Sequence, residues 1–127
     1  MIARRPLIFA TAGALVYVTV FAYRLDAAGH FCAGFGGTLF LLALVSRGRD
    51  ELGWSAVLIA FAAIGIGIVA ELTLFSDLVA DPVDVANQSL GAVLAAGCVL
   101  SRPVRCKALA LTALPILLAG FAFAFLT

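Results

Sequence analysis

Charge is what this chain has least of. Only 12% of its 127 residues are Asp, Glu, Lys or Arg, while 65% are hydrophobic and the mean hydropathy is +1.19. A soluble domain carries about twice that share of charge. So small a chain has no way to bury this much apolar surface in water, and its solvent is therefore lipid. The net charge of +1 gives no basic footprint of the kind that binds nucleic acid, so no nucleic-acid partner is expected. Cysteine is scarce as well. Cys32, Cys98 and Cys106 form no C-x-x-C pair, and they read as buried free thiols. No internal repeat, low-complexity tract or polar domain interrupts the chain, so residues 1–127 are expected to form a single transmembrane helical domain.

What is present is five long apolar runs, roughly Leu7–Tyr23, Phe31–Val45, Trp54–Phe75, Val83–Leu100 and Ala108–Leu126. Each is close to the ~20 residues that cross a bilayer core, the second and fourth with help from polar flanks. The expected fold is all-α, a bundle of about five transmembrane helices joined by short loops. Arg4, Arg5, Arg47, Arg49, Arg102, Arg105 and Lys107 fall on one side of that bundle, and only Arg24 falls on the other. The positive-inside rule then makes the N-terminus cytoplasmic and the C-terminus extracytoplasmic. Met1–Tyr23 is better read as a retained anchor than as a cleaved signal peptide, because the run is long and no A-x-A site follows it.

The acids are distributed differently. Asp26, Glu71, Asp77, Asp81 and Asp84 lie at or near the outer helix ends, with the single histidine, His30. In "LDAAGHFCAGFGG" the spacing places Asp26, His30, Gly34 and Gly37 on one helix face. Gly67 and Glu71 are four apart in the third run. Asp84, Asn87, Gln88, Gly91 and Ala95 form a stripe in the fourth. Small residues let helices approach closely in lipid, so helices two, three and four are expected to meet through Gly34, Gly37, Gly67 and Gly91. Their polar groups then converge in a shallow outer cleft.

Simpler roles compete for several of these residues. Asp81 before Pro82, with Asp84 three residues on, resembles a capping box, and Asp26 is placed to cap the second helix. Asp77 reads as a solvated loop residue. Asn87 and Gln88 suit interhelical hydrogen bonds as well as a ligand. Glu71 resists such a reading. It sits near a helix C-terminus, where the dipole is negative, and a carboxylate at bilayer depth costs about 2.5–3.5 kcal/mol. His30 is the expected proton-transfer group, since imidazole ordinarily titrates near pH 6.5. Glu71 is then its charge partner and Asp84 a ligand or cation contact, with Asp26, Asn87, Gln88 and Arg24 as further binding residues.

With these residues in place, the chain resembles the VanZ-like family of small bacterial membrane proteins over roughly residues 26–100. That family carries D-K-x-x-H at the start of one helix, a Glu on the next and D-x-x-x-N-x-x-G on the third. "DAAGH" supplies Asp26 and His30, Glu71 supplies the acid, and "DVANQSLG" supplies Asp84 and Gly91. Ala27 replaces the motif Lys, Gln88 stands at the Asn position, and no Arg lies between Glu71 and Asp84, which marks a divergent member. The resemblance implies a multi-pass protein of the bacterial inner membrane with an envelope role linked to glycopeptide-antibiotic resistance, and no particular reaction.

Three functions are therefore expected in competition. The first is an outer-face site binding or acting on a lipid-linked or cell-wall ligand. The others are a non-catalytic membrane scaffold or accessory subunit, and a small transporter or proton relay. Membrane lipids are the partners implied throughout, and oligomeric state is not encoded in these patterns. A divalent cation is compatible with His30, Glu71 and Asp84, although three ligands from three helices leave no local metal motif.

Overall fold

Alanine, leucine and valine fill the helical interiors, interleaved with glycines that let the helices approach closely. The computed structural model describes residues 2–49, 51–75, 82–100 and 103–125. Five α-helices run in chain order: α1 (Arg4–Val20), α2 (Leu25–Val45), α3 (Ser55–Ala70), α4 (Pro82–Val99) and α5 (Cys106–Phe125). A π-helical turn, Glu71–Phe75, continues α3. Among the described residues there is no strand. Each of the five helices falls on one of the five apolar runs; α1 lies three residues earlier than its run, α3 gives way to the π-helical turn at Glu71, and α2 begins at Leu25 rather than Phe31, taking Asp26 and His30 into the helix. Pro82 opens α4 at the position where its missing N–H costs nothing. Gly48 and Gly53, with φ of 75° and 54°, turn the chain between α2 and α3 in a conformation that favours glycine.

Three segments are long and apolar enough to cross a membrane: Leu25–Val45, Ser55–Thr73 and Cys106–Phe125. The other two helices are less suited on composition or length. α1 has 17 residues, about 25 Å of rise against a hydrocarbon core of ~30 Å, and α4 carries Asp84, Asn87 and Gln88 in its first half.

α2 is the central helix. Its Phe31, Phe35, Leu39 and Leu42 are at most 1% exposed, and it packs most extensively on α5 and α4, while α3 docks chiefly on α4. Only 17% of the α3 span is buried, against 61% of the α2 span. Leu58, Phe61 and Ile66 of α3 and Leu118 and Phe121 of α5 face outward, as helices solvated by acyl chains do.

Small residues set the helix spacing. A Cβ on Gly34 would collide with the Gln88 carbonyl oxygen, and one on Gly91 with the Phe31 carbonyl oxygen, so α2 and α4 meet backbone to backbone. A Cβ on Gly67 would overlap the Gln88 side chain. Gly37 does not share this role, because nothing lies within 4 Å of its Cβ position. Three residues beyond Gly34 is 300° of helical rotation, some 60° off the stripe. The row continues instead at Thr38, which is fully buried. Contact between α2 and α5 uses other glycines, with Cβ positions on Gly29 and Gly120 lying 3.1 and 3.3 Å from their nearest neighbours across that interface.

Candidate functional site

Each acid reaches the site by a different local route. Asp26 and His30 stand one turn apart at the start of α2. Asp84 is the third residue of α4, where the exposed N–H groups and the positive helix end favour a carboxylate. Glu71 follows the last residue of α3, at the point where the helix widens. Its N–H reaches both Gly67 O and Ile68 O before the π-helical turn begins. Such widened turns recur at functional sites because one added residue re-aims the side chains that follow.

These routes converge. His30 Nε2 lies 3.3 Å from Asp84 Oδ2. One ligand-capable atom each from His30, Glu71 and Asp84 fall within 4.8 Å of one another. Glu71 is 7% exposed and the Asp84 side chain 13%. Arg24 grips Asp26 with two prongs, Nε to Oδ1 at 3.4 Å and a terminal nitrogen to Oδ2 at 2.8 Å. That same nitrogen is 3.7 Å from Asp84 Oδ1. Asp84 is thus the point where the imidazole and the guanidinium meet.

Asp26 does not act as the cap expected for it. The cap position belongs to Arg24, which makes no side-chain cap bond, and Asp26 sits in the first turn with its carboxylate held by that arginine. Asp77 and Asp81, and with them the Asp81–Asp84 capping box, lie outside the described residues.

A cavity of about 330 Å³ opens from this polar end. Asp26, His30, Glu71, Asp84 and Gln88 line it, and its remaining wall is built from Gly29 and Ala33 of α2, Gly67 and Ala70 of α3, and Leu117, Gly120, Phe121 and Ala124 of α5. The participation of α5 was not expected. The half of that helix that lines the cavity is apolar all round, so nothing in its sequence distinguishes a cavity-facing side from the opposite one. Gln88 enters as the spacing predicts. Its Nε2 is buried, with no hydrogen-bond partner among the described residues.

Asn87 turns elsewhere. It is not among the cavity-lining residues, and its Oδ1 accepts a hydrogen bond from the Tyr17 hydroxyl of α1 at 2.8 Å. One residue of helical rotation, 100°, separates it from Gln88. It ties α1 to α4 rather than lining the cavity. Tyr17→Phe removes that donor while keeping the ring stacked on Phe31, 5.1 Å between centroids. The expected cost is about 0.5–1.5 kcal/mol of stability, with ligand or metal binding unchanged, read by thermal melting in detergent beside a binding assay.

Neither family models, curated proteins nor solved structures match this chain. Function is therefore argued from the site itself. The arrangement supplies an imidazole held by a carboxylate, a second buried carboxylate within reach and a buried amide donor. Those groups suit proton transfer, cation coordination and recognition of an oxygen-rich headgroup.

Proposed function

We propose that this chain is a divergent VanZ-like protein of the bacterial inner membrane, with five spans, a cytoplasmic N-terminus and an outer-face cleft that binds or acts on a lipid-linked envelope ligand. The observation carrying this reading is the make-up of one cavity. His30, Glu71, Asp84 and Gln88 stand at one end, and the side walls from α3 and α5 are small or apolar. An amphiphile has the same division, a polar head joined to a hydrocarbon chain. Among the described residues α3 and α5 make no extensive contact with each other, so the cavity lies between two helices that face lipid. His30 is the proton-transfer group, Asp84 and Glu71 set its orientation and charge, and Arg24 holds Asp26 and Asp84 in register. A proton path through the bundle has less support, because Phe31, Phe35, Leu39 and Leu42 fill the α2 core beyond His30.

The test is binding of a fluorescent polyprenyl-diphosphate sugar to the full chain in lipid nanodiscs. His30→Ala is expected to weaken binding at least about tenfold, some 1.4 kcal/mol, with its melting transition unchanged. Loss of binding that only follows loss of melting temperature across His30 and Glu71 variants would replace the site with the scaffold reading.

A further inference from the structure

We propose that His30, Glu71 and Asp84 form a binding site for one divalent transition-metal ion of the zinc type, with an open position facing the cavity. The inference concerns the same cavity as the reading above and stands independently of which organic ligand enters it.

The donor set comes first. One imidazole nitrogen and two carboxylates, from α2, the turn after α3, and α4, bring their ligand-capable atoms within 4.8 Å of one another. Metal–ligand bonds of about 2.0–2.2 Å place two donors of a tetrahedral ion about 3.3–3.6 Å apart. His30 Nε2 and Asp84 Oδ2 are 3.3 Å apart, within the range of two such donors. Imidazole in the set favours zinc or its transition-metal neighbours over magnesium and calcium, which prefer oxygen alone.

Three further observations point the same way. Glu71 is 7% exposed and sits beside a helix C-terminus, where the dipole disfavours a carboxylate and a bound cation reverses that penalty. The cavity of about 330 Å³ leaves room beyond the three ligands, as in catalytic metal sites with a fourth position for water or substrate. Gln88 Nε2, buried and without a hydrogen-bond partner among the described residues, is a donor on that same wall. It suits an oxygen anion held on the metal, such as a phosphate or carboxylate of the ligand.

The experiment uses the tag-free full chain in detergent, stripped with chelator and titrated calorimetrically with zinc. One equivalent per chain is expected. His30→Ala and the near-isosteric Glu71→Gln should each weaken binding by at least about 10- to 100-fold, since losing even an outer-shell partner costs that much. A variant with Cys32, Cys98 and Cys106 all changed to Ser should bind as the parent does, and X-ray absorption should show nitrogen and oxygen neighbours without sulfur. Circular dichroism and melting of Glu71→Gln separate a lost ligand from a lost fold. No stoichiometric zinc, or zinc that His30→Ala and Glu71→Gln retain in full, overturns the metal site. If metal-free protein binds the polyprenyl probe while zinc does not bind, the metal site fails and the envelope-ligand reading stands. Zinc binding without probe binding gives the converse.

Discussion

Gly91→Leu is expected to abolish the folded bundle. At this position α4 lies against the α2 main chain, and a Cβ would meet the Phe31 carbonyl oxygen and come to 2.8 Å from the Phe35 amide nitrogen. Overpacking a flexible side chain costs about 1–3 kcal/mol. Here the obstacle is backbone inside a regular helix, which has no rotamer to change, so the cost exceeds that range. It is then a large part of a total stability of about 5–15 kcal/mol. The matched control is Gly37→Leu, a glycine of the facing helix α2 whose Cβ position has nothing within 4 Å. Yield, monodispersity on size exclusion and melting in detergent should collapse for Gly91→Leu and stay near the parent values for Gly37→Leu. Equal behaviour of the two variants would refute the close α2–α4 contact.

Asp84→Ala is expected to have the largest effect on the site. Its two carboxylate oxygens serve two partners, Oδ2 the His30 imidazole and Oδ1 the Arg24 guanidinium. Removing one partner from a buried charge pair costs about 3–5 kcal/mol. Screening lowers the Arg24 share, because that side chain is 38% exposed. The His30 share persists, and the imidazole loses the group that orients it. Asp26→Ala removes only the partner of Arg24 and should cost less, within the ~0–1 kcal/mol of an exposed pair. A double-mutant cycle should therefore couple Asp84 to His30 by ~0.5–3 kcal/mol and leave Asp26 and His30 nearly additive. The measurements are melting and ligand affinity on the same samples. Equal losses from Asp26→Ala and Asp84→Ala would remove Asp84 from the centre of the site.

The five helices were legible because each is a continuous apolar run, and hydropathy needs no partner to be read. The site was legible in outline for a related reason: His30, Glu71 and Asp84 are polar groups in segments that have few, so each one is visible by contrast. Azimuth was harder. A spacing of three or four residues marks roughly one face of a helix, and the 60° between Gly34 and Gly37 or the 100° between Asn87 and Gln88 decides which residue meets its neighbour. Only the neighbour settles that. Gly34, Gly67 and Gly91 do lie at interfaces, whereas Asn87 goes to Tyr17 on α1. The wall supplied by α5 was invisible because the stretch of that helix lining the cavity, Leu117 to Ala124, is apolar on every side and nothing in it sets one side apart.

The shallow docking of α3 has a further consequence. The helix that leads into Glu71 gives up only 17% of its span to the bundle, the least of the three segments long and apolar enough to cross a membrane. A cation or headgroup that draws Glu71 toward His30 and Asp84 fastens this loose member to the two helices it must meet. Occupancy and assembly are then one linked equilibrium: whatever binds the gathered site raises the melting temperature with its concentration.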